Sequence, residues 1–328
     1  MKKFDYVVAD KLEPALAELS HRQSDHSVAL KAAGIDLLDL MKEWVQTPQT
    51  VLSIGGVDEL RYIREEGDGV HIGCLTTLAD VARSELLRTK YRTLHVAAGE
   101  AATPQIRERA TVGGNICQRP QCWYFRKREF HCLKKGGPTC FAVEGENRYH
   151  AIFGGGPSYI VHPSNVAPAL VALDGVIVVR SAGGESQRIK AVEFFVLPEV
   201  SLMKENVLQP GQLVAEIILP NAPTASATIE FREKQSYDWP LTMACVARVG
   251  GNWRVCLGAV APIPWLSKPA MGVVGDQEIT PELAAAAGEA AAQDADPMTE
   301  NEYKVQLVKV ATKRALLTAA GLEVPTWN

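Results

Sequence analysis

Four of the seven cysteines fall in one 24-residue stretch, Cys117-x4-Cys122-x9-Cys132-x7-Cys140. The odd total argues against a disulfide framework. So does an N-terminus (Met1, Lys2, Lys3, Phe4, Asp5) that runs into mixed polar sequence with no export-type apolar stretch. Structural zinc usually sits between Cys-x2-Cys knuckles, and none is present. Wide, irregular spacing of four thiols suits an iron–sulfur cluster better, because a large polyhedral group takes ligands from a wandering loop. Between the thiols lie Arg119, Arg126, Lys127, Arg128, Lys134 and Lys135 against a single acid, Glu129. A thiolate-held cluster is net negative, so these cations would offset it and raise its potential. The plainer reading is a basic solvated loop with incidental cysteines. Cys74, Cys245 and Cys256 are scattered and read as small buried apolar residues.

The rest of the chain is an ordinary folded protein. Its 328 residues predict two or three packed domains. Hydrophobic content of 47% and charge of 22% exclude a disordered chain. A net charge of −4 gives no bulk electrostatic reason to bind nucleic acid or anionic lipid. No apolar run approaches the roughly 18 residues needed to cross a bilayer. The chain reads as soluble and, by default, cytoplasmic.

Periodicity predicts an α+β chain. Helical spacing marks Lys11 to Ser20 and the stretch through Leu37, Leu38, Leu40 and Met41, and short strands read at Val28 to Leu30 and Val51 to Ile54. Helices are expected at Thr77 to Leu87 and Leu94 to Ala102, with strands at Val70 to Gly73, Val176 to Arg180 and Gln212 to Pro220. Pro220 to Pro223 looks like a linker, which places a boundary near residue 222. Beyond it come β-type runs at Thr228 to Phe231, Leu241 to Val249 and Trp253 to Val260. Two helices close the chain, Pro281 to Ala292 and Thr299 to Ala320. The second carries a capping-box pattern (Thr299, Glu302) and stop signals at Gly321 and Pro325.

Two glycine-containing turns could approach a phosphate. Ala32-Ala33-Gly34-Ile35-Asp36-Leu37 joins a strand to a helix whose N-terminus carries partial positive charge. The bland alternative is a tight turn with Asp36 as cap. Ala110-Thr111-Val112-Gly113-Gly114-Asn115 can bring several N–H donors and a hydroxyl around a diphosphate, though Gly-Gly-Asn is equally a common turn. Neither is of Rossmann or P-loop type. Gly154-Gly155-Gly156-Pro157 is a further loop. His162 and Lys234 are candidate partners that by default are structural and surface residues.

In their order along the chain, these stretches resemble the FAD-binding medium subunit of the molybdenum hydroxylases, over nearly the whole length. The family's first loop, Ala-Gly-Gly-Thr-Asp-Leu-Leu then Leu-Met-Lys, corresponds to Ala32 to Leu38 and Leu40-Met41-Lys42. Ile72-Gly73-Cys74-Leu75-Thr76-Thr77 matches its Ile-Gly-Ala-Leu-Thr-Thr. Arg107 through Asn115 matches Arg-x-x-Ala-Thr-x-Gly-Gly-Asn. His162 through Leu170 matches His-Pro-Ser-Asp-x-x-Pro-Ala-Leu, with Asn165 in the Asp place.

The resemblance implies a two-part FAD domain of vanillyl-alcohol-oxidase (PCMH) type over 1–222, with subdomains of about 1–57 and 58–222. A small α/β domain of CO dehydrogenase flavoprotein C-terminal type would cover 223–328. It implies cofactor contacts from Lys31, Ala32, Ala33, Gly34, Ile35, Asp36, Leu37, Thr76, Thr111, Gly114, Asn115, Ser164, Asn165, Leu213 and Lys234. It also implies a 4Fe–4S cluster on the 117–140 loop, with Cys122, Cys132 and Cys140 matching three ligands. The fourth position of the relatives holds Ser158 here, so Cys117 supplies the fourth thiolate, or Ser158 ligates weakly, or the cluster is incomplete and labile. Partners would be a large molybdenum-cofactor subunit, a small 2Fe–2S subunit and an external acceptor, with no substrate acid or base on this chain. Export of the whole complex on a partner's signal peptide is the alternative to a cytoplasmic location. The rival readings are a stand-alone flavin oxidoreductase and a zinc-stabilised scaffold.

Overall fold

The computed structural model describes residues 1–20, 27–234 and 236–324. The chain opens with a parallel sheet in which Thr50–Ser53 lies between Asp5–Val8 and Val28–Lys31. Helices Leu12–Ser20 and Ile35–Lys42 belong to this unit. Leu12, Ala15, Leu16 and Leu19 recur at helical spacing and make the buried face of the first helix. The central strand is buried at all four positions, as a parallel strand covered on both faces should be.

A second, antiparallel sheet runs in the order Ile63–Glu66, Gly69–Gly73, Gln212–Leu219, Val176–Ser181, Ser186–Lys190. The chain leaves it after Gly73 and returns at Val176, so the Gly-Gly-Asn turn and the thiol loop both lie on one long excursion. The helix expected over Thr77 to Leu87 is two, Leu78–Arg83 and Glu85–Lys90. Ser84 divides them, because its hydroxyl accepts the Leu87 N–H at 3.3 Å and starts a new helix.

The third sheet is antiparallel, in the order Trp265–Leu266, Asn252–Gly258, Thr242–Val249, Ala225–Phe231. Its two faces bury alternate residues of one strand. Met243, Cys245 and Ala247 pack into the core of the preceding sheets. Ala244 and Val246 pack under the C-terminal helices Lys268–Val274, Pro281–Ala291 and Tyr303–Ala319.

The last helix starts at Tyr303, with Glu302 at its cap position and no side-chain cap. Thr299 does not cap it: its hydroxyl accepts from Asn147 Nδ2 at 2.9 Å, and the Glu300 carboxylate takes the Asn147 N–H at 2.8 Å. The capping-box pattern is thus spent on tying down a distant loop. At the other end Gly321 has φ of +70°, and the Leu322 N–H reaches the Leu317 carbonyl at 2.9 Å, a Schellman closure. The expected Pro325 stop lies outside the described residues. No helix among them is long and apolar enough to cross a membrane.

Candidate functional site

A groove of about 1330 Å³ is lined by Lys31 to Leu37, by Thr111, Gly114 and Asn115, and by Asn165. It exceeds the roughly 300–1,000 Å³ of ordinary small-molecule pockets, as an extended dinucleotide requires. Gly34 is the residue of the first loop that needs to be glycine. It caps the helix Ile35–Lys42 with φ of +86°, and an added Cβ would meet Lys31 Cε at 3.0 Å. Ala33 has no positive φ, so its methyl group carries no backbone strain. The first turn beyond Gly34 leaves backbone N–H groups without helical acceptors along the groove wall, the chemistry a diphosphate needs.

The two glycines of the second turn have different jobs. A Cβ on Gly113 would stand 2.8 Å from Cys74 Cβ, so Gly113 is there for close packing. Gly114 donates its N–H to Thr111 Oγ1 at 3.1 Å and lines the groove. Four of the expected cofactor residues do not line it. Thr76 donates its hydroxyl to the Tyr62 carbonyl at 2.8 Å, and its own carbonyl accepts the Val112 N–H. Ser164 Oγ donates to Asn115 Oδ1 and accepts the Ala167 N–H, which holds Asn115 from behind. Leu213 is buried in the second sheet, and Lys234 is exposed.

Asn165 is pinned by a residue that sequence reasoning missed. Its Nδ2 donates to the Glu230 carboxylate at 3.1 and 3.3 Å, and Arg232 pairs with the same carboxylate. Glu230 belongs to the third sheet. Burial pushes its pKa up despite the Arg232 guanidinium. A carboxyl group therefore stands next to position 165 although the residue itself is an amide. His162 is a buried structural histidine packed edge-on against Phe195 at 4.8 Å, and burial lowers its pKa to about 4.

The thiol stretch divides. Cys122, Cys132 and Cys140 line one small cavity together with Ser158. Cys117 lines the large groove instead, near Cys74. Burial raises the Cys122 thiol to about 12 and pushes Cys132 up as well. Such thiols become thiolates only when metal replaces the proton. The three sulfurs do not crowd into the mutual 4.8 Å that Glu66, Asp68 and His71 reach elsewhere, so they are not drawn together around one zinc-sized ion. The donor set, three thiols with a hydroxyl on the fourth wall, suits a larger group. The cavity is only about 10 Å³, room for one water, so loading it requires the loops carrying the thiols to part. Phe125 and Lys134 line both this cavity and the groove, which leaves one layer of side chains between them.

Three of the six basic residues of the loop are tied to acids. Arg126 pairs with Asp36 and, at 3.0 Å, with Asp39. Arg119 and Lys134 both pair with the buried Glu205, at 2.9 and 2.7 Å. Burial pushes Glu205 up, but the two cations outweigh it and hold it below the usual carboxylate range. Lys135 donates to the Lys127 carbonyl, and Arg128 lies 5.2 Å over the Trp44 ring. Acids from remote parts of the chain thus consume three of the six expected countercharges, while Lys135 remains close enough to interact with the Cys122 and Cys132 thiols.

Two family models account for almost the whole chain. The FAD binding domain in molybdopterin dehydrogenase matches residues 2–222, and the CO dehydrogenase flavoprotein C-terminal domain matches residues 227–319. The aldehyde oxidoreductase FAD-binding subunit PaoB of Escherichia coli is 32% identical over 94% of this chain and 96% of its own length. The carbon monoxide dehydrogenase medium chain of Hydrogenophaga pseudoflava is 27% identical over 97% of both chains. The solved carbon monoxide dehydrogenase from that organism superposes with a TM-score of 0.74 at 24% identity, covering 98% of both chains. The chain belongs to the family of FAD-binding medium subunits of the molybdopterin dehydrogenases. It is an oxidoreductase component, the flavoprotein subunit of a molybdenum hydroxylase.

Proposed function

We propose that this chain relays electrons through FAD between a 2Fe–2S partner subunit and an external acceptor. A 4Fe–4S cluster on Cys122, Cys132 and Cys140 would stand beside the flavin path, and Ser158 is the protein group at its fourth position. The observation that carries the reading is the single layer formed by Phe125 and Lys134 between the groove and the thiol cavity. FAD, when bound, exchanges electrons singly or in pairs and so couples one-electron carriers to a two-electron acceptor. The chain's own task is to bind and orient. The Gly34 loop offers backbone donors, Thr111 and Ser164 fix the Gly114–Asn115 wall, and Glu230 fixes the Asn165 amide. A large molybdenum-cofactor subunit would hold the substrate.

The test is anaerobic purification with flavin and iron measured on one sample, for the wild type and for Cys132→Ala. The reading expects bound FAD in both and iron lost from this chain only in the variant. Equal iron in the two would reject the cluster, and absence of FAD from the wild type would reject the relay.

A further inference from the structure

A buried cation without a counter-ion grips the carbonyl of His150, the residue whose ring touches Cys122. Lys304 is 1% exposed and lies in the first turn of the helix Tyr303–Ala319. Its ammonium donates to the carbonyls of Tyr149 at 2.9 Å, His150 at 3.2 Å and Ala259 at 2.9 Å. No carboxylate pairs with it among the described residues. Two local rules are broken here. Taking an ammonium out of water is costly unless an anion accompanies it, and the N-terminal end of a helix disfavours a cation. A position that breaks local rules without internal compensation is where a functional partner is expected.

A thiol site holding iron would put an anion on the other side of His150. The link is His150, whose carbonyl is gripped by Lys304 and also by Asn301 Nδ2 at 3.1 Å. The His150 ring is buried, packs edge-on against Trp123 at 5.4 Å, and places Nε2 3.3 Å from Cys122 Sγ. A ligating thiolate only accepts hydrogen bonds, so the ring proton belongs on Nε2. Both Asn301 and Lys304 come from the C-terminal domain, which therefore aims this ring across the domain boundary.

We propose that His150 and Lys304 are positioning residues that raise the reduction potential of a cluster held by Cys122, Cys132 and Cys140. The inference rests on the cluster reading given above. Reduction adds negative charge to the thiolate-ligated group. An N–H donor on one sulfur and a buried ammonium behind it stabilise the reduced form more than the oxidised one.

The experiment is an EPR-monitored redox titration of the anaerobically purified complex, as wild type, His150→Phe, His150→Gln, Lys304→Met and Cys132→Ser. The signal missing from Cys132→Ser belongs to this chain's cluster. The proposal expects that signal at lower potential in His150→Phe and Lys304→Met. His150→Gln, which keeps an N–H donor, should lie closer to the wild type than His150→Phe does. If Lys304→Met does not fold, the two histidine variants carry the comparison. Unchanged or higher potentials, with the signal intact, would overturn the proposal while leaving the cluster in place. A Cys132→Ser spectrum identical to the wild type would show that the cluster reading itself has failed, and the proposal with it.

Discussion

Asp36 accepts the backbone N–H of Arg119 at 3.0 Å, across 83 residues of sequence. The same carboxylate takes the guanidinium of Arg126. One side chain of the first groove loop thus holds the start of the thiol loop in place. The residue read as a helix cap is instead the tie between the two candidate cofactor sites.

Replacing Asp36 by Ala should therefore damage both sites together. Arg126 is 8% exposed and would keep Asp39 and the Pro120 and Arg119 carbonyls but lose its better-buried carboxylate, so we expect a loss of about 1–3 kcal/mol of stability. Thermal unfolding and FAD titration check it. Weakened FAD binding and increased reactivity of Cys122 towards a thiol reagent are expected, and an unchanged thiol rate would contradict the tie.

Gly34→Ala should cost about 1 kcal/mol or more in stability from its left-handed φ, with a loss of FAD affinity on top. Ala33→Gly should leave FAD affinity nearly unchanged, because position 33 is not in that conformation. Fluorescence titration of FAD into the two variants separates the positions.

At position 165 the sequence alone suggests that a neutral residue removes a charge from near the flavin. The structure places the Glu230 carboxylate 3.1 Å from the Asn165 amide. Asn165→Asp should bring two carboxylates into contact, force one to stay protonated at neutral pH, and lower the melting temperature. Exchanging the pair, with Asp at 165 and Gln at 230, should restore much of the loss. A double variant no better than the single one would show that the contact is not the cause.

Two titrating groups give opposite pH signatures. Burial lowers the His71 pKa, but the hydrogen bonds its ring donates to Asp68 at 2.6 Å and Glu216 at 2.9 Å outweigh it and raise the value. Its contribution is fully present below the unfolded value of about 6.5 and is lost as pH rises through the raised folded value. The stability gap between wild type and His71→Gln should shrink from about pH 6 to 8. Lys304 behaves the other way in metal-free protein. Burial lowers it to about 7, so between there and its unfolded value of about 10.4 the unfolded chain holds the extra proton and stability rises with pH. Lys304→Met should remove that rise. Urea titrations at pH 7 and about pH 9 compare the two.

Much of the fold was legible in sequence, because helix and strand periods and glycine stops mark elements directly. The Leu12–Leu16–Leu19 stripe and the Val51 strand needed nothing beyond local pattern. Departures came where side chains serve distant partners. Thr299 looked like a cap and binds Asn147, and Asp36 looked like a cap and binds Arg119 and Arg126. Arg119, Arg126 and Lys134 looked like free charges because Asp36, Asp39 and Glu205, which pair with them, are remote in sequence. One missed residue did leave a signal. Lys304 occupies the buried register of Val308, Ala311 and Ala315, where a lysine contradicts the apolar pattern.

The relay is tested most directly by counting the electrons this chain accepts. In an anaerobic dithionite titration, followed by absorbance and EPR and compared with Cys132→Ala, the wild-type chain should take up about three electron equivalents: about two bleach the flavin and about one generates the cluster signal. The variant should stop at about two. A wild-type chain that also stops at about two would contradict the cluster, and one that takes up none would contradict the relay altogether.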